Sequence, residues 1–189
     1  KIIGEIFENK IDNNFYLITG KSVGVVDESG PIVTKTKKYA LTLAKKIKAD
    51  YVLFDTSVGL HCGVIRALIN SDLAYAVTEP TPLGAHDLEL ILKLLKKLKV
   101  PAKIILNQAD LGKKELIKNI ANNFQIEIEQ EIPYSKKLAK AYCQGRLLNF
   151  SLWRFSISTT FYHFRLEYSD PGSEWDDIRI KNVVWLLRK

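Results

Sequence analysis

The sequence is short of the residues that build metal sites and disulfide frameworks. Its 189 residues include no methionine, two cysteines and three histidines. Cys62 and Cys143 lie far apart without a CxxC spacing, which excludes a zinc finger or disulfide-stapled fold and favours neutral thiols in a reducing cytoplasm. His61, His86 and His163 show no metal-ligand spacing either, so they are interpreted as surface or turn residues.

Long apolar runs are also lacking. No stretch approaches the roughly 20 apolar residues of a membrane span, and the start of the chain has no signal-peptide pattern. The sequence therefore predicts no stable membrane insertion and a cytoplasmic location. Because the methionine-free chain opens on Lys1 in an apolar stretch, it is interpreted as a fragment or a truncated gene product.

Positive charge exceeds negative charge but is spread along the chain. There are 28 Lys and Arg against 21 Asp and Glu, a formal net charge of +7. The densest basic segment, 93–99, reads KLLKKLK and alternates with leucines at helical spacing. This pattern is typical of a solvated helix face, so no nucleic-acid partner is predicted.

Strand-like and helix-like segments alternate through the middle of the sequence. Helices are predicted at 34–48, 64–70, 83–99, 111–123 and 135–144, the last closed by Gly145, and strands at 51–54, 73–78, 102–106 and 126–132. The strand at 51–54 is expected to be buried on both faces. This order predicts an α/β fold with a parallel sheet between helices, whose ligands bind at the carboxyl ends of the strands.

The two flanks depart from this alternation, so three regions are predicted. Residues 1–30 form a β-like N-terminal extension, with β-like runs at 15–19 and 23–27. Residues 31–148 form the α/β domain. Residues 149–189 hold all three tryptophans and form an aromatic-rich tail of uncertain origin, either a β-rich appendage or a foreign or frameshifted end.

Gly20, Lys21 and Ser22 match the last three positions of a phosphate-binding Walker A loop, G-x-x-x-x-G-K-[ST]. The first glycine of that motif would occupy position 15, where the sequence has Phe15. A phosphate cradle needs converging backbone N–H groups and small residues. The run Phe-Tyr-Leu-Ile before Gly20 suits a strand, so Gly20–Ser22 is interpreted as a β-turn.

Asp55 ends the predicted strand at 51–54, and Gly59 follows four residues later. An acidic residue at this place, followed by a mobile glycine loop, is where nucleotide hydrolases hold the water shell of Mg²⁺ and sense the γ-phosphate. A helix N-cap or a strand-end turn is the structural alternative.

An ordered set of segments carries a resemblance over about 120 residues. It comprises DTSVG at 55–59, TEPTPLGAHDL at 78–88, NQAD at 107–110 and IPYSKKLAKAYCQG at 132–145. The set resembles the MinD superfamily of P-loop ATPases, in particular the subgroup with an inserted ferredoxin domain, related to Mrp-like iron–sulfur carriers, ParA and the nitrogenase iron protein. The resemblance implies a Rossmann-like parallel sheet of the P-loop NTPase type that lacks its first strand and P-loop.

The resemblance also implies roles for single residues. Asp55 is similar to the catalytic Walker B or switch II aspartate, which orients Mg²⁺ through a bound water, and Gly59 to the glycine that contacts the γ-phosphate. Asn107 is similar to the asparagine that recognises adenine, with an Asx-turn as the alternative. Pro133 and Tyr134 are similar to the segment that lines the other side of the base. Glu79 is either a supporting acid or a turn residue.

The chain departs from the subgroup in two places. Residues 56–60 read Thr-Ser-Val-Gly-Leu, whereas the subgroup has two prolines before the glycine and a threonine after it. The glycine-rich loop and the cysteines of the ferredoxin insert would lie before Lys1.

These features together predict the C-terminal part of a MinD-like ATP-binding protein. When intact, it would be iron–sulfur-associated and hydrolyse ATP as a switch, and the chain alone would be inactive because the Walker A loop is absent. The implied cofactors are ATP and Mg²⁺, with a 4Fe–4S cluster only upstream, and the implied partners are a second copy in a homodimer or an iron–sulfur redox protein. The alternative is a non-catalytic module of degenerate nucleotide fold that acts in protein–protein interaction.

Overall fold

A computed structural model describes residues 2–11, 13–23 and 30–144, together with the backbone of 181–187. The strands are Gly4–Lys10 (β1), Phe15–Ser22 (β2), Tyr51–Asp55 (β3), Ala74–Thr78 (β4), Ala102–Asn107 (β5), Ile128–Ile132 (β6) and Lys181–Leu187 (β7). The helices are Gly30–Ile47 (α1), Cys62–Leu68 (α2), Pro82–Leu98 (α3), Lys114–Phe124 (α4) and Lys136–Cys143 (α5). Every helix and strand predicted between residues 34 and 144 is present, so the α/β class is confirmed.

The chain divides into two compact units. The first comprises Lys1–Ser71 with Ser173–Lys189, and the second Asp72–Gly172. The second unit contains a parallel sheet in the order β4-β5-β6, joined by α3 and α4. This arrangement confirms the predicted Rossmann-like sheet and places the carboxyl ends of its three strands along one edge.

The core of the second unit includes residues of its central strand and of α3, which packs against β4 and α4. Ile104, Ile105 and Leu106 of β5 are fully buried. Leu88 and Leu92 of α3 are almost as deeply buried, four residues apart on one helical stripe. Each such side chain contributes roughly 1.5–3 kcal/mol when removed from water, so their burial stabilises the parallel sheet.

The first unit is antiparallel. Its sheet has the order β1-β2-β7-β3, and α1 packs on it through a core that includes Ile18, Ala40 and Ala44. The segment 51–54 was expected to join the parallel sheet and to be buried on both faces. It instead pairs antiparallel with β7, and β3 is half-buried apart from exposed Tyr51. An apolar run indicates a strand but fixes neither the direction nor the identity of its neighbour.

The N-terminal extension is a hairpin whose first strand the sequence pattern missed. The predicted run at 15–19 lies inside β2, and β1 was not predicted because all but its first residue are exposed. Residues 24–29, which hold most of the predicted run at 23–27, lie outside the described residues, as do Gly145, His163 and most of the aromatic-rich tail. None of the described helices combines the length and apolarity of a membrane span.

Candidate functional site

Gly20–Ser22 form the end of β2 and not a turn, so the β-turn interpretation is wrong. Each of the three pairs with a residue of β1, Gly20 with Ile6 and Ser22 with Gly4. A Cβ atom on Gly20 would lie 2.1 Å from Oγ1 of Thr36, a buried residue of α1. The glycine therefore allows α1 to approach the sheet closely. The backbone serves strand pairing, and a phosphate cradle of converging N–H groups does not form there.

Asp55 is the last residue of β3, and the loop 56–61, which is exposed from Ser57 onward, connects it to α2. Gly59 has a φ of +96°, a left-handed backbone that favours glycine. Ser57 Oγ and His61 Nε2 lie 2.9 Å apart, which closes the loop with a hydrogen bond between its two sides. The loop thus has one conformationally permissive residue and one polar contact.

The segment TEPTPLG at 78–84 begins α3. Thr81 is the N-cap, its hydroxyl accepting from the Gly84 N–H at 3.0 Å, and Pro82 occupies the first turn. Thr78 donates its hydroxyl hydrogen to the Gly84 carbonyl at 2.9 Å, and a Cβ on Gly84 would lie 2.5 Å from the Glu79 carbonyl. The residues of this segment therefore fix the exit of β4 and the start of α3.

Two contacts join the end of β4 to the end of β5. Gln108 Nε2 donates to Glu79 Oε1 at 2.8 Å, and Gln108 itself has a φ of +51°. Gly112 packs so closely that an added Cβ would lie 2.1 Å from the Pro80 carbonyl oxygen. The side chain of Glu79 therefore links the end of β4 to the end of β5, and its two predicted roles stay predictions.

Two further hydrogen bonds join the end of β5 to the end of β6. The Ala109 N–H donates to the Ile132 carbonyl at 2.9 Å, and the Tyr134 N–H donates to Asp110 Oδ1 at 2.6 Å. Ser135 then caps α5 by accepting from the Leu138 N–H at 3.2 Å. The three strand ends therefore form one cross-linked edge, which we call the β4–β6 edge (residues 78–81, 107–112 and 132–135).

Asn107 is the last residue of β5 and pairs in register with Ile132. Its side chain is half-buried, and its carboxamide has no hydrogen-bond partner among the described residues. The Asx-turn considered as an alternative therefore does not form in the described part of the chain. A carboxamide offers a donor and an acceptor side by side, so this position can recognise a ligand with the complementary pair.

Pro133 and Tyr134 follow β6 on the same β4–β6 edge. Both are exposed, and Tyr134 leaves 42% of its surface accessible. The hydrogen bond from the Tyr134 N–H to Asp110 holds in place the backbone that carries the exposed ring. An exposed aromatic ring on the same edge as an unpartnered amide suits a flat, polar-edged ligand.

The structure brings together only part of the predicted site. Asn107, Pro133 and Tyr134 lie on one edge of the second unit, whereas Asp55 and Gly59 belong to the first unit. Among the described residues, no group of three His, Cys, Asp or Glu side chains could hold a metal ion. Cys62 and Cys143 are both exposed and free and lie in different units.

A second feature, absent from the sequence predictions, lies between α1 and α2. It is a groove of about 380 Å³. We call it the α1–α2 groove, and its lining residues are Thr34, Lys37, Lys38, Leu41, Thr42, Lys45, Arg66, Ile69 and Asn70. The sequence signal for it is a stretch from 30 to 49 that contains five lysines besides Lys48 and no acid.

Three proteins of Methanocaldococcus jannaschii are similar to this chain. The uncharacterized protein MJ0579 is 43% identical over 145 residues, which cover 77% of this chain and 48% of that protein. The uncharacterized ATP-binding protein MJ0685 is 25% identical over 165 residues, covering 84% of this chain and 62% of that protein. The uncharacterized protein MJ0578 is 28% identical over 145 residues, covering 77% and 48%.

The chain thus spans about half to three-fifths of the length of these curated relatives. No protein-family model matches it.

Proposed function

We propose that this chain is part of a MinD-like nucleotide-binding protein, and that its β4–β6 edge receives the adenine of ATP. The observation that carries the proposal is Asn107, a half-buried carboxamide at the carboxyl end of the central strand, without a hydrogen-bond partner among the described residues. Ligands of parallel α/β sheets bind at this end of the strands.

Asn107 is suited to read the edge of a base. The adenine edge presents an amino donor beside a ring-nitrogen acceptor, and the carboxamide supplies the matching acceptor and donor. The hydrogen bonds around Gln108 and Ala109 hold the backbone on its C-terminal side, so the amide loses little freedom when it binds. Pro133 and Tyr134 would pack against the base.

For Asp55 and Gly59, which belong to the first unit, we propose the roles that the resemblance implies. A carboxylate at the end of β3 fits Mg²⁺, which is commonly held by one or two carboxylates, waters and substrate phosphates. When bound, Mg²⁺ neutralises charge on the phosphates. Asp55 would hold its water shell, and the permissive backbone of Gly59 would let the loop 56–61 approach the γ-phosphate.

Hydrolysis of ATP as a switch belongs to the longer protein in this proposal. The relatives extend well beyond the matched region, which leaves room for a phosphate loop and for the four thiolates of an iron–sulfur cluster. MJ0685 is named an ATP-binding protein, which supports the nucleotide part of the proposal. A homodimer or a complex with an iron–sulfur redox protein would then respond to the nucleotide state.

A nuclear magnetic resonance titration of the whole chain with ATP tests the adenine site. We expect millimolar binding, with shifts at the Asn107 side-chain amide and at the backbone of Tyr134. Asn107→Ala removes two hydrogen bonds of about 1 kcal/mol each, so the Kd should rise about tenfold or more. Asn119→Ala, which changes the same residue type on the exposed face of α4, is the matched control.

Two results would overturn the adenine site. One is ATP binding that is equally tight in the Asn107→Ala and Asn119→Ala variants, and the other is a set of shifts confined to the first unit. For Asp55, the test is ATP turnover by a full-length protein that contains this segment. Asp55→Asn should abolish turnover and retain ATP binding, and unchanged turnover would remove Asp55 from its proposed role.

A further inference from the structure

The α1–α2 groove has a strongly one-signed lining. It contains the cations Lys37, Lys38, Lys45 and Arg66 and no acidic side chain. Within residues 30–71 there are seven basic residues and two acidic ones, Asp50 and Asp55, neither of which lines the groove. The positive field at the groove is therefore not neutralised by its own walls.

The cations of the groove fall into two kinds. Lys37 is turned inward, where its ammonium donates to the carbonyls of Ala67 and Ile69 at 2.6 Å each and lies 4.7 Å from the centre of the Phe54 ring. Burial lowers the pKa of Lys37. Lys38 and Lys45 are exposed, and the side-chain ammonium of neither has an ion-pair or hydrogen-bond partner among the described residues. Lys37 thus ties α1 to the end of α2, while Lys38 and Lys45 remain available.

The available groups lie on one stripe of α1. Thr34, Lys38, Leu41 and Lys45 are spaced by four, three and four residues, the helical repeat that places them on one face. Across the groove, Arg66 Nη1 donates to Thr34 Oγ1 at 3.3 Å, which links the two walls at one end. The two helices that form the α1–α2 groove are therefore joined by a hydrogen bond, and cations line the groove.

The apolar residues that line the α1–α2 groove are aliphatic. Leu41 and Ile69 leave 39% and 41% of their surfaces accessible, and none of the lining residues is aromatic. Binding of single-stranded nucleic acid relies on aromatic rings that stack on the bases, and the lining of the groove has none. Leu41 and Ile69 offer apolar contacts that a peptide with aliphatic side chains can use.

We propose that the α1–α2 groove binds an acidic segment of a partner protein, one that places aliphatic side chains between its carboxylates. The carboxylates pair with Lys38, Lys45 and Arg66, and an aliphatic side chain packs between Leu41 and Ile69. This surface lies within the first unit and does not depend on the adenine site. It gives the chain a partner class defined by charge and by an apolar contact together.

Fluorescence anisotropy with three labelled peptides and the full chain tests the proposal. The first peptide alternates glutamates with leucines, the second has serine in place of each leucine, and the third has lysine in place of each glutamate. We expect the first to bind, the second to bind at least about fivefold more weakly because it loses apolar contact, and the third not to bind.

Matched variants locate the binding. Lys38→Glu combined with Lys45→Glu should weaken the first peptide about tenfold or more, since several surface ion pairs of up to about 1 kcal/mol become repulsions. Lys96→Glu combined with Lys97→Glu makes the same charge change at the exposed end of α3 and should leave binding within about twofold. Leu41→Ala should weaken binding, and Leu116→Ala, at a residue of similar exposure on α4, should not.

Three outcomes would overturn the proposal. Equal losses in the α1 and α3 charge variants would show that net charge alone attracts the peptide. Equal binding of the leucine and serine peptides would remove the apolar contact. Tighter binding of single-stranded oligodeoxythymidine, or of phosphatidylglycerol vesicles, that is lost on Lys38→Glu with Lys45→Glu would assign the groove to a nucleic acid or to a membrane instead.

Discussion

The lysines of the two compact units have different neighbours. The lysines of α1 make no ion pair with any described residue of the chain. In the described part of the second unit, three lysines pair with glutamates, Lys93 with Glu89, Lys103 with Glu129 and Lys114 with Glu131. The first unit therefore leaves positive charge available at its surface, whereas the second neutralises part of its charge internally.

The closest glycine contact in each unit involves a different kind of atom. Gly20 of the first unit approaches a side-chain hydroxyl, that of Thr36, while Gly112 of the second approaches the backbone carbonyl of Pro80. The strand ends of the second unit are thus fixed by backbone contacts and hydrogen bonds, as a small ligand requires. The first unit presents unpaired cations beside the aliphatic residues Leu41 and Ile69, which suits a macromolecular partner.

Gly112→Ala should have the largest effect on this contrast. The added Cβ would lie 2.1 Å from the Pro80 carbonyl oxygen, and a backbone wall cannot move without displacing the end of β4. Overpacking of this kind lowers the free energy of unfolding by about 2–3 kcal/mol. Urea denaturation measures the change, with the exposed neighbour Lys113→Ala as control. A loss in the free energy of unfolding within about 0.5 kcal/mol of that caused by Lys113→Ala would contradict a rigid second unit.

Gly20→Ala tests the corresponding contact of the first unit. We expect a loss of about 2 kcal/mol in the free energy of unfolding, because the new Cβ collides with Thr36 Oγ1. Unlike the backbone carbonyl of Pro80, the hydroxyl of Thr36 can be removed by substitution. Adding Thr36→Ala should restore about half of the lost stability in a double-mutant cycle measured by urea denaturation. Strictly additive losses would show that the two units do not differ in this way.

The sequence was sufficient to predict the helices and strands that bury apolar side chains against neighbouring elements. The helix α3 shows apolar residues at helical spacing and β5 is an unbroken apolar run, and both lie within a few residues of their predicted bounds. The strand β1 carries no such pattern, because its residues are mostly exposed and pair only through the backbone. The direction of β3 depends on β7, a strand more than 120 residues away in the sequence.

For the candidate site too, some features could be predicted from the sequence and others could not. Asn107 and Tyr134 could be placed at a strand edge from the βαβ order alone, and their positions agree. The bond between Glu79 and Gln108 could not be predicted, since it requires the left-handed backbone of Gln108 and the register of two strands. The α1–α2 groove could not be predicted, because it combines lysines of α1 with Arg66 of α2 and with Ile69, the residue that follows α2.

Lys114→Gln should have the smallest effect and tests the ion pairs of the second unit. The Lys114 ammonium donates to Glu131 at 2.5 Å and holds the pKa of that carboxyl below its ordinary value. The pair therefore adds stability at pH values above the ordinary glutamate pKa of about 4.3, and this stability is lost as the pH falls through the lowered folded-state pKa.

At neutral pH, Lys114→Gln should cost at most about 0.5 kcal/mol, because both groups are more than a third exposed. Urea denaturation from pH 7 down to pH 2 should show the difference from the unchanged chain shrinking as Glu131 takes up its proton. Lys97→Gln removes the same charge from a lysine without an ion-pair partner among the described residues, and it corrects for the change in net charge. A difference that persists undiminished at pH 2 would mean that Lys114 stabilises the second unit by packing, and the contrast in ion pairing between the units would lose that pair.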